Sequence, residues 1–431
     1  MKIIQYPKPQ EYDKILQRPS KSIDEIKPEI LNILETVKNK KDTALYQFNQ
    51  KFDKVKIDKL KVDNDEIEKA VTNLSQNLKQ SIDLAIANIT KFHLAQQNFL
   101  PIIETSPGVQ CWQKDIPIEK VGLYIPGGTA PLFSTVLMLA IPAKIAGCRE
   151  ILLCTPPDKK GKIHPAILYA AYKSGIKNIY KVGGAQAIAA MAYGTESIPK
   201  VYKIFGPGNQ YVTAAKQLLS NEIAVDMPAG PSEVCLVADS SGNPDFIAAD
   251  LLSQAEHGID SQAIFITDDP LLPQKVYQAI QNQLTQLPRR KTAEKALEHS
   301  KLILVKNLDE AITLANIYAS EHLIIMTKNS DAIAEKVINA GSVFIGHYSP
   351  ESAGDYCSGT NHVLPTYGFA KNFSGVSLCS FMKKITYQKL SAQGLKNIGP
   401  AIEIMAEAEE LFAHKNAVTI RLKTIKKESK F

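Results

Sequence analysis

The rhythm of hydrophobic and polar positions changes near residue 121. Before it, Ile30, Leu31, Ile33, Leu34 and Val37 recur at helical spacing, and Ile82 to Phe92 repeats the pattern. The first part of the chain is therefore predicted to be helical and largely polar. After it, short β-branched runs alternate with alanine-rich stretches. The runs predict strands at 121–125, 151–154, 179–182, 202–205, 233–238, 263–267, 302–305, 323–326 and 342–345. Helical patterns fill the gaps at 134–146, 165–174, 185–193, 210–219, 245–257, 273–284, 308–319 and 331–340. Repeated β-α-β order predicts parallel sheets with helices on both faces. These strands are many for one sheet, so two α/β units are expected. The end of the chain predicts helices and no clear strand.

Composition narrows the class. Hydrophobic residues make up 45% and charged residues 22%, which suits a soluble chain with real cores and excludes a disordered one. The longest apolar run, Val136 to Ala143, is far short of the ~18 residues of a membrane span. The start, Met1-Lys2-Ile3-Ile4-Gln5-Tyr6-Pro7, has no apolar core of signal-peptide length, so a cytoplasmic protein is expected, with no membrane partner. The net charge of +6 is spread among interspersed signs. Only Lys423, Lys426, Lys427 and Lys430 cluster, which reads as a solvated terminus and not as a nucleic-acid surface. Six cysteines without a CxxC pair, mostly inside apolar runs, read as reduced thiols.

Candidate chemistry gathers in two kinds of segment. Glycine-rich loops follow predicted strands at Pro126-Gly127-Gly128-Thr129, Gly183-Gly184-Ala185-Gln186 and Gly206-Pro207-Gly208-Asn209, and a fourth, Pro228-Ala229-Gly230-Pro231-Ser232, leads into the predicted strand 233–238. Such loops at the carboxyl ends of parallel strands admit a phosphate or pyrophosphate, or simply make tight turns. No complete GxGxxG is present, because Tyr211 stands at the third glycine place. The second kind holds histidines. His257 closes a helix that starts with Asn243-Pro244 and stops at Gly258, and Gln254 shares its face. Glu321-His322 enters the apolar run Leu323-Ile324-Ile325-Met326, an expensive position for an acid and an imidazole unless they are used. Asp355 and His362 lie in the polar, glycine-rich segment 352–362, and Glu409 and His414 lie in a helical stretch, 406–416. His93, His164, His299 and His347 read as packing or surface residues. From the residues alone this is a cytosolic α/β enzyme with a His/Asp metal site, and hydrolysis and hydride transfer both remain open.

These segments together resemble the histidinol dehydrogenase family. The stretches that carry the resemblance are Val121–Gly128, Val182–Ala190, Ile204–Asn209, Asp226–Val234, Leu251–Gly258 and Ser342–Tyr367. The resemblance implies oxidation of L-histidinol through L-histidinaldehyde to L-histidine, with two NAD+ reduced in sequence. It implies one zinc ion per site and a cytoplasmic homodimer with shared active sites. By motif match the zinc ligands are expected at Gln254, His257, Asp355 and His414, and the catalytic pair at Glu321 and His322. Ser232 and Glu409 match substrate contacts, which His322 and the zinc ligands share; Tyr124, Gln186 and Asn209 match NAD contacts. The implied fold is two incomplete Rossmann-like domains plus small N- and C-terminal extensions. On this chain they fall at 1–20 (N-terminal extension), 21–122 with 233–376 (first domain), 123–232 (second domain) and 377–431 (C-terminal extension reaching the partner).

The implied chemistry suits the residues. His322, neutral near pH 7, can take the hydroxyl proton as hydride leaves carbon, and Glu321 can help activate the water needed for aldehyde oxidation. The rivals are a zinc hydrolase of a small amide, an aldehyde dehydrogenase using Cys235 as nucleophile, and a binding protein using the basic surface. Cys235 sits in Val234-Cys235-Leu236-Val237, which reads as strand core and a poor place for a thiolate.

Overall fold

The computed structural model describes residues 1–19, 23–98, 100–127, 130–227 and 230–428. Gly128, Thr129, Pro228 and Ala229 of the glycine loops lie outside the described residues. The chain divides into two compact units, Met1–Gln96 with Ile118–Phe381, and Gln97–Pro117 with Met382–Phe431.

Among the described residues the strands, in chain order, are β1 (Lys2–Gln5), β2 (Ile103–Ser106), β3 (Val109–Pro117), β4 (Lys120–Tyr124), β5 (Glu150–Thr155), β6 (Asn178–Lys181), β7 (Lys203–Phe205), β8 (Ala224–Val225), β9 (Glu233–Ala238), β10 (Gln262–Thr267), β11 (Lys301–Leu304), β12 (His322–Met326), β13 (Ser342–Ile345) and β14 (Met382–Leu390). The first unit holds two parallel sheets, β1-β11-β10-β9-β12-β13 and β6-β5-β4-β7-β8. Every predicted strand is present. Their continuous apolar runs have a simple cause: β9 and β10 are buried along their whole length, because helices cover both faces.

In the six-stranded sheet one face packs on the helices Pro244–Ala255, Leu272–Leu284 and Arg290–His299. The other packs on Leu308–Tyr318. In the five-stranded sheet the helices Gly184–Tyr193 and Gln210–Leu219 share a core with Ile23–Phe48, a helix kinked at Lys41.

Several boundaries differ from expectation. Residues 1–20 are not a free extension, since β1 adds an edge strand to the six-stranded sheet and Ile3 packs on its core. The expectation that residues 30–60 belong with 233–376 is not met: Ile30, Leu34, Leu45 and Leu60 pack with Leu152 of the five-stranded sheet and with Ile188 and Val212 of its helices. The apolar stripe of Ile23–Phe48 fixes that choice. The boundary at 122/123 cuts through β4, whose residues pair in one register with β5 and β7. The predicted helix 331–340 is cut to Ser330–Ala334.

The second unit contradicts the expectation of a strandless end. β14 pairs with β3, and β3 with β2, as an antiparallel ribbon in which Trp112 stacks on Tyr387 at 5.4 Å. Both faces of β14 are largely solvated, so Lys383, Lys384 and Lys389 hide the strand's alternation. Helices Ala392–Ala408 and Phe412–Glu428 follow, and Gly399 lets Leu422 approach closely. The expected single helix through 406–416 is broken. Glu410 turns left-handed (φ 59°), and the Leu411 N–H donates back to the Ala406 carbonyl, closing the first helix.

Candidate active site

Two cavities in the first unit collect the candidate residues. The larger, about 1220 Å³, lies at the carboxyl ends of the five-stranded sheet and is lined by Tyr124, Gly127, Gly184, Gln186 and Asn209. The smaller, about 720 Å³, is lined by Ser232, Gln254, His257, Glu321, His322 and Asp355. Asn209 and Tyr211 line both, so the cavities share a wall.

The larger cavity rests on close-packed loops. A side chain at Gly206 (φ +125°) would fall 2.0 Å from the Tyr124 carbonyl oxygen, so only glycine fits. Asp226 accepts from the Gly206 N–H at 2.7 Å, Lys216 donates to the Gly206 carbonyl at 3.0 Å, and these two buried side chains pair with each other. Tyr124 Oη accepts from the Gly184 N–H at 3.0 Å, and burial pushes its phenol up to about 12. Asn209 caps the helix Gln210–Leu219, its side-chain oxygen accepting from Tyr211 and Val212 N–H. Its amide NH2 is thus the group left for a ligand.

The smaller cavity sits at the amino edge of the six-stranded sheet. Glu233 and His322 are the first residues of β9 and β12, with Ser232 and Glu321 just before them. The helix Pro244–Ala255 leaves the carboxyl end of β9 and runs back, its length matched to the strand. Its last turn returns Gln254 to the amino edge, and His257 follows in the next turn. Asn243 caps it as the sequence predicts, accepting from Asp245 N–H.

Donor atoms of His257, Glu351 and Asp355 all lie within 4.8 Å of one another. His322 is buried beside them. Its Nε2 is 3.6 Å from Asp355, and its Nδ1 is 3.7 Å from Glu321 and 4.0 Å from Glu351. These are ion-pair distances, and among the described residues neither ring nitrogen has a hydrogen-bond partner; nor does Asp355 Oδ1. The Gln254 amide reaches Glu321 Oε2 from its nitrogen at 3.4 Å in one orientation; in the other it donates to Glu351. His362 is fixed by the Asp355 carbonyl at 2.9 Å, so its Nδ1 carries the proton and its Nε2 accepts from Thr135.

The electrostatics follow from the crowding of Glu321, Glu351, Asp355 and Asp250 with little access to water. Burial raises Glu321 to about 8, and drives Glu351 well above the ordinary carboxylate range with Asp355, Glu321 and Asp250 adding to it. Burial also acts to raise Asp355, but His322 beside it overrides that and holds it at about 2. Burial would lower His322, yet the charges of Glu351, Glu321 and Asp355 carry it up to about 10. These charges favour a protonated His322 as long as no cation is bound. A divalent ion engaged by the same oxygens would cancel the field that holds the proton. The ring of His257 is open at the cavity mouth, but the protein crowded around it lowers its pKa and leaves it free to ligate. Partnerless buried polar atoms, clustered acids and a neutral imidazole fit an N/O-ligated divalent cation such as zinc.

Comparisons with known proteins identify the family of the chain. A family model described as histidinol dehydrogenase matches residues 16–422. The chain belongs to the histidinol dehydrogenase family. The enzyme of that name from Bacteroides thetaiotaomicron is 60% identical over 427 residues, covering 99% of this chain and all of the relative. That from Escherichia coli O6:H1 is 51% identical over 420 residues, with 96% of each chain covered. A solved histidinol dehydrogenase from Elizabethkingia anophelis superposes with a TM-score of 0.97 at 55% identity, covering 99% of both chains.

The residues that carry the family resemblance are mostly gathered, and some are not. Gln254, His257, Asp355, Glu321, His322 and Ser232 line one cavity; Tyr124, Gln186 and Asn209 line the other. Glu409 and His414 belong to the second unit, where both are exposed. Sequence reasoning misses Glu351, Glu233 and Arg18. Arg18 grips Glu233 with two bonds of 2.5 and 2.9 Å and stacks on Tyr318 at 4.1 Å. Glu233 N–H in turn donates to Glu321 Oε2 at 2.9 Å. The signal that singles out Glu321, an acid at the mouth of an apolar strand, is equally present at Glu233. The nucleophilic-cysteine rival fails, because Cys235 is fully buried in β9 and its thiol is pushed far up.

Proposed function

We propose that this chain oxidises L-histidinol through L-histidinaldehyde to L-histidine in two successive hydride transfers to NAD+. The observation that carries the reading is the shared wall. A pocket holding an acid, an imidazole and a ligand cluster abuts, at Asn209, a larger pocket with the loops and helix N-termini that suit a nucleotide. Gln254, His257 and Asp355 would hold the zinc, which supplies a Lewis acid that grips the substrate's imidazole and amine nitrogens. NAD+ supplies the hydride acceptor, with Tyr124, Gln186 and the free amide of Asn209 as its contacts.

The chain's own groups do the proton work. His322 takes the hydroxyl proton as hydride departs from the alcohol carbon. Glu321, adjacent on the same strand mouth, acts in its ionised form, a stronger base for its raised pKa, and takes a proton from the water that adds to the aldehyde, giving the hydrate from which the second hydride leaves. Arg18, by neutralising Glu233, keeps one more negative charge from opposing Glu321. Ser232 at the rim contacts the substrate.

The reading includes a homodimer in which a second copy supplies His414 as the fourth ligand and Glu409 as a substrate contact. What supports this is the pair of helices at the chain's end, where Ile404, Met405, Phe412 and Ile420 are exposed apolar residues without cover. All six cysteines are free, and among the described residues no helix is long and apolar enough to cross a membrane.

The decisive experiment incubates the protein with histidinol and NAD+ and follows NADH absorbance, with zinc measured before and after chelation. Two NADH per histidinol, lost on chelation and restored by zinc, is the expected result; no NADH from a zinc-loaded sample overturns it. Mixing inactive His414→Ala and inactive His322→Asn subunits tests the sharing. Activity returns if one site of each heterodimer escapes both lesions, and stays absent, with exchange verified, if His414 serves its own chain.

A further inference from the structure

Lys216 and Asp226 have no part in the reading above, and neither lines a cavity. Lys216 lies in the second turn of the helix Gln210–Leu219, and Asp226 directly follows β8. Their side chains are 6% and 1% exposed and pair with each other. Both also grip one residue. Asp226 Oδ2 accepts from the Gly206 N–H at 2.7 Å, and Lys216 Nζ donates to the Gly206 carbonyl at 3.0 Å. The Asp226 N–H donates to the Ile204 carbonyl at 3.0 Å, which ties the carboxylate to the end of β7. Taking two charges out of water is costly, and two apolar side chains of similar size would fill such a space about as well, so packing does not account for this pair. What the charges add is a charge-assisted hydrogen bond to each backbone group of Gly206. That residue has no side chain to anchor it and takes φ +125°, where the chain turns out of β7. Three residues on, Asn209 caps the helix and lines both cavities, and Pro207 and Gly208 on the way line the smaller one.

We propose that Lys216 and Asp226 are positioning residues for the dinucleotide: by fixing both backbone groups of Gly206, they set where the Asn209 amide stands at the wall between the cavities. The inference rests on the reading that the larger cavity takes NAD+. It explains why a buried ion pair is spent on a single glycine. Anchored at Gly206 by the pair and at Asn209 by the cap, the loop holds its free amide in place before any ligand arrives, so little ordering is left to be done on binding. Without the pair, the Gly206 backbone groups lose their partners and the Asn209 amide loses its fixed place, at a cost of about one ligand hydrogen bond, or roughly tenfold in affinity.

The test uses the full-length, zinc-loaded protein and compares the parent with Lys216→Met, Asp226→Leu and the double variant. Melting temperature, zinc content, KM for NAD+ and kcat at saturating NAD+ are measured for each. Each single variant leaves one buried charge unpaired and is expected to melt below the double variant, in which an apolar pair replaces both charges. KM for NAD+ is expected to rise about tenfold in all three, the double variant included, with kcat and zinc content near parental. Recovery of stability without recovery of KM is what separates positioning from mere support of the fold. A double variant with the parental KM overturns the proposal. So does a fall in zinc content or kcat that matches the rise in KM, which would mark a general lesion. So do losses in KM that multiply when Asn209→Ala is added to the double variant, because the pair would then act elsewhere. Should the double variant fail to fold, Lys216→Met is assayed below its melting transition. It keeps the carboxylate on the Gly206 N–H and loses only the hold on the carbonyl, and a parental KM for NAD+ there overturns the proposal. A parent that does not bind NAD+ defeats the reading of the larger cavity itself, an outcome distinct from all of these.

Discussion

The two parallel sheets of the first unit are built by the same rule and used at opposite ends. In the five-stranded sheet, the cavity lies beyond the carboxyl ends, where β4, β6 and β7 run into Gly127, Gly184 and Gly206 and where helices begin at Gly184 and Gln210. In the six-stranded sheet the reactive groups stand at the amino ends: Glu233 opening β9, His322 opening β12, Gln254 in the last turn of the helix between β9 and β10. The general expectation for open α/β sheets places ligands at carboxyl ends. It describes the first sheet and fails for the second.

The difference has an electrostatic meaning. A helix N-terminus offers free N–H groups and positive potential, so the carboxyl edge of a parallel sheet suits anions such as the phosphates of a dinucleotide. A helix C-terminus offers free carbonyls and negative potential, so the amino edge suits cations. The helix Pro244–Ala255 ends at the cluster of His257, Glu351 and Asp355, adding its negative end to the acids already there. One sheet thus presents its anion-binding edge and the other its cation-binding edge, and in the proposed reaction the nucleotide and the metal-held substrate meet between them.

Breaking the amino-edge site should have the largest effect. His322→Asn is expected to cut turnover with both histidinol and histidinaldehyde by about 10²–10⁴-fold, with KM for NAD+ nearly unchanged. Glu321→Gln should strike aldehyde oxidation harder than alcohol oxidation, since only that step needs activated water. Parental aldehyde oxidation in Glu321→Gln would remove the water-activating role. Next in size, His257→Ala or Asp355→Ala should release most of the zinc while leaving NAD+ binding in the other cavity intact. Full zinc content in either variant would exclude that residue as a ligand.

How far the two edges were legible differs in the same way. The strands of both parallel sheets could be read, because burial on both faces makes them continuous apolar runs. Gln254, His257, Glu321 and His322 could be singled out, because each breaks a helix or strand pattern where breaking it is costly. Glu351 and Arg18 could not. Each meets its partner across most of a domain's length of chain, Arg18 to Glu233 and Glu351 to Gln254, so no local spacing reports the contact. β14 stayed hidden for the opposite reason: it is solvated on both faces, so no hydrophobic alternation is required of it. The glycine loops are ambiguous by nature. Gly206 is needed for the approach to the Tyr124 carbonyl whether or not a ligand is present.

A smaller effect separates structure from binding at the carboxyl edge. Asn209→Ala removes both the helix cap and the free amide, so it should cost about 0.5–2 kcal/mol of stability and raise KM for NAD+. Asn209→Ser keeps a capping oxygen and should restore the stability without restoring KM. If the serine variant also regained the parental KM, Asn209 would be a cap and nothing more.

The smallest expected effect concerns Asp53, at the edge of the larger cavity. One of its carboxylate oxygens is buried without a partner, and burial raises the group to about 6. Unfolded, the same carboxyl titrates near 4. The folded chain therefore binds the proton more tightly than the unfolded one. The stability this confers is complete below pH ~4 and is lost as pH rises through about 6. At pH 7 the ionised Asp53 is a net cost, so Asp53→Asn should melt higher than the parent. The shift corresponds to at most ~3 kcal/mol, and partial exposure of the side chain reduces it to about 1, or roughly 1–2 °C for a unit of this size. The gain should shrink toward zero at pH 4, where the parent carboxyl is itself protonated. A gain that persisted at pH 4 would mean that packing, and not the buried charge, separates the two proteins. Beside that cavity the unpaired oxygen is also placed where it could accept from a ligand hydroxyl or amino group. The stabilised Asp53→Asn protein should accordingly show a raised KM for NAD+, while its zinc content and its KM for histidinol, set at the amino edge of the other sheet, stay parental.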